Sequence, residues 1–116
     1  MERLDRSGLF VEKEKIQEYL LCATHPSGMS KAAFFTRFGF STRNWEVLAA
    51  ALRDQGSLHA IESRLTSEFG MKYVVAGRIV APDGRNPMIK TVWLRTVENS
   101  RSFRLITAYP VWEEKR

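Results

Sequence analysis

The spacing of apolar residues changes at Gly56, and this change constrains the fold more than any other feature of the sequence. Before Gly56, apolar side chains recur at intervals of three and four residues, which is the period of an amphipathic helix. After Gly56, β-branched residues are frequent and apolar positions alternate with polar ones, as they do in strands. We therefore expect an α+β domain, with two to three N-terminal helices packed on a three- to four-stranded antiparallel sheet.

Capping and turn residues set the expected element boundaries. Ser30 is placed to cap the second helix, and Gly56 is placed to end the third. Asp83 and Gly84 favour a tight turn between two strands. The predicted helices are 9–22, 31–39 and 44–56, and the predicted strands are 58–66, 71–81, 88–97 and 103–112.

Length and composition fit one globular domain. The chain has 116 residues, of which 44% are hydrophobic and 27% are charged, so a buried core is expected. We expect a single domain over 1–116, with a helical part at about 9–56 and a sheet part at about 57–113. The sequence has no apolar run long enough for a membrane helix and no apolar signal region. These features predict a cytoplasmic protein without a membrane partner.

The net charge of +5 favours an anionic partner, and nucleic acid is the commonest one. Most of the excess lies in residues 57–116, which hold ten basic and six acidic side chains. The single cysteine, Cys22, excludes an internal disulfide and a cysteine-cluster metal site. His25 and His59 have no acidic or cysteine residues at metal-ligand spacing. We expect neither a metal ion nor a cofactor.

Strand alternation predicts a basic sheet surface near the end of the chain. If Arg95 pairs with Leu105 across the last turn, hydroxyls from the last two strands lie beside Arg95. The residues that would then share one face of the final hairpin are Thr91, Arg95, Thr107 and Tyr109. Lys72, Arg78 and Lys90 are expected to share a face on the preceding strands. Such groups bind phosphates and stack on bases, but they equally fit a solvated face that blocks edge pairing.

The loop around His25 is the second candidate feature. A histidine beside a proline and a glycine, just before a helix, is placed to be exposed and to titrate near neutral pH. The following helix start, with Ser30 and Lys31, is suited to bind an anion. The alternative is that His25 only closes a turn.

Four segments of the sequence are distinctive when taken together: HPSGMSKAAFFTRFGF (25–40), KYVVAGRIVAPDGR (72–85), TVWL (91–94) and RLITAYP (104–110). In combination they resemble an uncharacterised bacterial domain family. Its members occur alone or at the C-terminus of larger proteins, including proteins that resemble polymorphic toxins and phage or mobile-element products. The similarity extends from about Lys15 to Pro110.

The chain has predicted helices followed by an antiparallel sheet whose last strand contains Thr-Ala-Tyr-Pro. This arrangement weakly resembles the superfamily of the barnase, EndoU, colicin-type and RelE ribonucleases. Enzymes of that superfamily act on RNA without a metal ion. The likeness implies that Thr107 and Tyr109 line a site, with Arg95 or Arg104 beside them and His25 and Lys31 completing it. The sequence does not contain the complete set of catalytic residues of any one branch of that superfamily.

Three functions follow from these observations. The first is a small RNA-directed domain, a metal-independent ribonuclease of toxin type. In such a ribonuclease His25 would act as the general acid or the general base, and Lys31 and Arg95 would stabilise the transition state. Thr107 and Tyr109 position the phosphate, and the nucleic-acid-binding candidates are Lys72, Arg78, Lys90 and Arg104.

The second function is a non-catalytic module that binds a protein or a nucleic acid, with Trp112 as an interface anchor. The third is an antitoxin or immunity-type neutraliser, which the charge of +5 disfavours. The expected partners are RNA and a protein, either a cognate inhibitor or another one. The sequence does not predict an oligomeric state.

Overall fold

A computed structural model gives the structure of the protein and describes residues 2–95 and 101–111. The first helix, α1, has an α-helical turn, Lys13–Lys15, that continues into a π-helical turn, Ile16–Leu20. The remaining helices are α2 (Met29–Arg37) and α3 (Trp45–Leu58), and a short 3-10 turn spans Arg6–Gly8. The strands are β1 (Leu9–Phe10), β2 (Ile61–Ser67), β3 (Gly70–Arg78), β4 (Met88–Arg95) and β5 (Phe103–Pro110).

The strands of the described residues form one mixed sheet in the order β1-β5-β4-β3-β2. Strands β2 to β5 form the expected antiparallel meander, whereas β1 runs parallel to β5 and pairs Leu9 with Phe103. The α+β class is confirmed, but the predicted count of three to four strands was wrong. The predicted helix over 9–22 was also wrong at its start, because Leu9–Phe10 is a strand. Two residues are too few to show the alternation by which a strand is recognised.

The three helices pack on one face of the sheet, and the hydrophobic core lies between them. From the sheet, Val75, Trp93 and Leu105 are fully buried in this core, and they meet Leu48 and Leu52 of α3. Burial of these large side chains is the main stabilising contribution of the layer arrangement. The helical layer therefore fixes which sheet residues point inward, and the alternate residues point to the opposite face.

A buried polar network ties α3 to the centre of the sheet. The amide of Gln55 donates to the carbonyl oxygens of Val75, Gly77 and Ile89 at 3.1–3.3 Å. Its carbonyl oxygen accepts from Thr91 Oγ1 at 2.7 Å, and Trp93 Nε1 donates to the same hydroxyl at 2.8 Å. Because the side-chain donors and acceptors of Gln55, Thr91 and Trp93 are all hydrogen-bonded, this network is compatible with full burial.

Two predicted helix boundaries differ from the structure. Helix α2 begins at Met29, so Ser30 lies inside its first turn and does not cap it. Helix α3 continues past Gly56 to Leu58. A Cβ on Gly56 would lie 2.7 Å from Trp93 Cζ2, so this glycine permits a close contact between helix and sheet. The sequence cannot distinguish a packing glycine from a terminating one.

The register of the last hairpin also differs from the prediction. Arg95 pairs with Phe103, not with Leu105, and Leu105 lies opposite Trp93. A bulge between Val92 and Trp93 shifts the rest of the pairing. As a consequence Thr91 is buried opposite Ala108, while Tyr109 lies opposite Lys90. The predicted face of Thr91, Arg95, Thr107 and Tyr109 therefore does not form.

Candidate functional site between α2 and β5

The side chain of Tyr19 lies at the centre of the candidate site. Its hydroxyl shares a hydrogen bond with Thr107 Oγ1 at 3.1 Å, which joins α1 to β5. The imidazole of His25 meets the Tyr19 ring edge-on, with the ring centroids 5.1 Å apart. Two predicted site residues from distant parts of the chain are thus held against one phenol.

Two lysine ammonium groups approach the same ring. Lys15 Nζ lies 5.0 Å and Lys31 Nζ 5.5 Å from the Tyr19 ring centroid, within the range of a cation–π contact. Lys31 Nζ also donates to the carbonyl oxygen of Ser27 at 3.2 Å, which fixes it at the start of α2. Since both charges lie close to one ring, an anion beside Tyr19 is attracted by both.

The hydrogen bonds of His25 determine which ring nitrogen carries a proton. His25 Nδ1 accepts from the backbone N–H of Ser27 at 3.0 Å and of Gly28 at 3.1 Å. Because an accepting nitrogen carries no proton, the neutral ring is protonated on Nε2. His25 therefore closes the loop before α2 with one nitrogen and offers a hydrogen-bond donor with the other.

A hollow of about 550 Å³ opens beside this cluster, between α2 and β5. It shares Lys31 with the Tyr19 cluster, and its aromatic surfaces come from Phe34 and Tyr109. Its volume lies within the usual range of ligand pockets. The residues that line it are Ser30, Lys31, Ala33, Phe34, Arg37, Tyr109 and Pro110. We refer to the Tyr19 cluster and this hollow together as the α2–β5 site.

Four of the five predicted catalytic residues lie in the α2–β5 site, and Arg95 does not. Arg95 lies at the far end of β4, where its guanidinium is 5.5 Å from the centroid of the Tyr73 ring. It lines a separate hollow together with Glu2 and Phe103. The four residues in the site are His25, Lys31, Thr107 and Tyr109.

The predicted nucleic-acid-binding residues lie elsewhere, on the sheet face opposite the helices. Register and strand alternation place all four there: Lys72, Arg78, Lys90 and Arg104. Lys90 forms an ion pair with Glu62 at 2.8 Å, and Arg104 Nε lies 3.9 Å from Glu12. Because Tyr109 pairs with Lys90, it stands at the boundary between this face and the α2–β5 site.

Tyr19 and Lys15 were missed by the sequence reasoning. Ile16, Tyr19 and Leu20 have the spacing of a core-facing helix stripe, which gives Tyr19 the pattern of a core residue, but only Ile16 and Leu20 are fully buried. A usable signal did exist, since Lys15 and Tyr19 are four residues apart and therefore adjacent on a helix surface. Trp112, the predicted interface anchor, lies outside the described residues.

Two general features of the described residues bear on the site. Over 2–95 and 101–111, no three His, Cys, Asp or Glu side chains gather closely enough to hold a metal ion. None of the helices found there has both the length and the apolar character that crossing a membrane requires.

The fold is similar to that of a solved chain described as "Contact-dependent growth inhibition toxin - immunity protein complex from Klebsiella pneumoniae 342". The TM-score is 0.68 at 17% sequence identity, and the match covers 90% of this chain and 95% of that chain. At this identity the likeness shows a shared fold. No curated protein matches the sequence. The model of a domain of unknown function, DUF6883, matches residues 4–112, and the chain therefore belongs to that uncharacterised family.

Proposed function

We propose that this protein is a toxin-type domain that cleaves RNA without a metal ion at the α2–β5 site. The observation that carries the proposal is the convergence on Tyr19 of two ammonium groups, an imidazole and the Thr107 hydroxyl. Cations and hydrogen-bond donors directed at one point are what a phosphodiester needs, both for binding and for stabilisation of its transition state.

In the proposed mechanism the two lysines act on the phosphate. As a 2′-oxygen attacks phosphorus and the bond to the 5′-oxygen breaks, Lys15 and Lys31 neutralise the charge on the phosphorane. The 2′-hydroxyl proton passes to water, and the departing 5′-oxygen takes a proton from water. The Thr107 hydroxyl and the Tyr109 phenol position the phosphate. The hollow beside them takes an adjoining base, because Phe34 and Tyr109 offer rings for stacking.

His25 has a defined part in this mechanism. With Nδ1 engaged by two backbone N–H groups, the Nε2–H group donates to a non-bridging phosphate oxygen. Action as a general acid or base requires the ring to release those two bonds first. Stabilisation of charge is therefore the contribution that fits the observed hydrogen bonds.

The toxin-type assignment has two further supports. The solved chain of similar fold comes from a toxin–immunity complex. The excess of positive charge, +5 for the whole chain, suits a protein that acts on RNA.

A matched pair of His25 variants tests the mechanism. His25→Asn keeps an acceptor close to the Nδ1 position and so keeps the turn, but it lacks the outer donor. His25→Gln keeps an outer donor and loses the turn acceptor. We expect His25→Asn to have the same midpoint of urea unfolding as wild type. It should cleave a mixed RNA pool about 10²-fold more slowly than wild type. His25→Gln should be less stable and more active than His25→Asn. An Asn variant as active as wild type would contradict the role given to Nε2.

One observation favours a second candidate, a non-catalytic partner-binding module of toxin–immunity type. The sheet face opposite the helices exposes Phe10 and Leu65. Exposed apolar side chains beside charged ones are typical of protein-binding surfaces. Intact RNA after prolonged incubation with the purified protein would make this candidate the better one.

A further inference from the structure

The sheet face opposite the helices carries transverse rows of side chains, and no described element covers it. Strand pairing defines the rows, because paired residues point to the same side. The first row crosses all five strands and consists of Phe10, Arg104, Leu94, Lys72 and Leu65. Val92 and Val74 are neighbours in the second row, and Lys90 and Ala76 in the third. We call this surface the open face.

The open face has an apolar centre and exposed apolar ends. Val74 and Leu94 are buried, although they do not belong to the main hydrophobic core. At the two ends of the first row, Phe10 is 54% and Leu65 is 55% exposed. Together with the half-buried Val92 and Ala76 between them, these side chains give the open face apolar surface that another molecule could cover.

Basic side chains outnumber acidic ones on the open face, and two of the basic ones are paired with glutamates. Lys90 is paired with Glu62, which raises the pKa of the lysine by a hydrogen bond and by its charge. Arg104 is paired with Glu12. Lys72 adds a further cation to the first row. A partner with carboxylates around an apolar patch would complement this surface.

The side chains at the centre of the open face argue against RNA as the occupant. Single-stranded RNA is usually bound on a sheet by aromatic rings of its central strands, on which bases stack. On the open face the centre is aliphatic, with Val74, Ala76 and Val92.

We propose that the open face docks a protein partner that presents apolar side chains surrounded by Asp and Glu. The surface is distinct from the α2–β5 site, and Tyr109 lies at the boundary between the two. The proposal does not depend on RNA cleavage, since it concerns a different face of the sheet.

Selection of peptides from an unbiased display library, with the full chain as target, tests the proposal. The selected peptides are then measured by fluorescence polarisation against four variants of the chain. Lys72→Glu and Leu65→Ser alter the open face. Their matched controls are Lys13→Glu on α1 and Val47→Ser, which replaces another exposed apolar residue on α3. Circular dichroism and urea unfolding establish that each variant is folded.

The expected peptides combine Asp or Glu with large apolar residues. Their affinity should fall by about tenfold or more in Lys72→Glu and in Leu65→Ser, and by less than about twofold in the controls. Enrichment of basic or uncharged peptides, or equal losses in the controls, would overturn the proposal. Binding of a 12-nucleotide RNA is measured in the same way. If its affinity falls as much in Leu65→Ser as in Lys72→Glu, the open face binds nucleic acid and the proposal is overturned.

Discussion

Tyr19 packs against the hydrophobic core, and polar and charged neighbours add to the contacts that orient it. Its hydroxyl is hydrogen-bonded to Thr107, and its ring contacts the His25 imidazole and two lysine ammonium groups. A residue fixed in this way from three parts of the chain is preorganised, so binding an anion there costs little rearrangement. This preorganisation is the physical basis for placing the site at Tyr19 and not at the end of β4.

Gly56 gives a residue-level prediction whose sign depends on the structure. In an exposed helix, Gly→Ala stabilises by about 1 kcal/mol. At Gly56 the added Cβ would lie 2.7 Å from the ring of the buried Trp93. Overpacking of that kind costs about 1–3 kcal/mol, so we expect Gly56→Ala to lower the free energy of unfolding.

Urea unfolding measures the effect of Gly56→Ala. The reverse exchange elsewhere on α3, Ala50→Gly, is the control and should cost about 1 kcal/mol through helix propensity alone. A Gly56→Ala protein more stable than wild type would show that the helix does not contact Trp93 as closely as described.

At the scale of elements, helix α2 is fixed at both ends by other parts of the chain. Its start is closed by His25, as described above. At its end, Arg85 from the turn between β3 and β4 donates to the carbonyl of Arg37 at 3.0 Å. The same guanidinium lies 4.5 Å from the centroid of the Phe38 ring. A cation at a helix C-terminus is favourable, so this turn stabilises the helix that carries Lys31.

Asp83 makes the stability of this turn depend on pH. Its carboxylate accepts from the Arg85 backbone N–H at 2.9 Å and from Arg85 Nε at 2.7 Å. The backbone bond is the largest cause that lowers the pKa of Asp83, and the Arg85 side chain adds to it. A carboxyl whose pKa is lower in the folded state contributes stability above its unfolded pKa, about pH 4. That contribution is lost as the pH falls through the folded pKa.

The Asp83→Asn variant tests this dependence. We expect its urea midpoint to be below that of wild type at pH 7, and the difference to shrink as the pH is lowered past 4. Glu68→Gln, which removes an exposed carboxylate elsewhere, is the charge-matched control. A difference that stays constant from pH 7 to pH 3 would contradict the role of the Asp83 carboxylate.

The sequence predicted elements with clear periodicity and missed those without it. Helices α2 and α3 and strands β3, β4 and β5 lie close to their expected ranges, because their apolar spacing is long and regular. Strand β1 is too short for any period, and its parallel pairing depends on a contact between chain ends. The bulge opposite Val92 shifts the hairpin register, and no local residue pattern marks it.

At the scale of the whole molecule, the site depends on contacts that no spacing rule provides. His25 and Lys31 were identifiable from one loop and Thr107 and Tyr109 from one strand, but their meeting depends on Tyr19. Arg95 was misplaced because its position rested on the register. The packed structure also separates two cationic surfaces that the sequence reasoning had combined, the α2–β5 site and the open face.

The central claim is that the α2–β5 site cleaves RNA and that Lys31 stabilises the transition state there. The most direct measurement is the cleavage rate of an end-labelled RNA pool in EDTA, for wild type and Lys31→Met. Lys13→Met is the matched control, because Lys13 also lies over an aromatic ring, that of Trp45, but outside the site. We predict cleavage by wild type and by Lys13→Met, and a loss of about 10²- to 10³-fold in Lys31→Met. RNA left intact by wild type, or cut equally fast by Lys31→Met, would contradict the account.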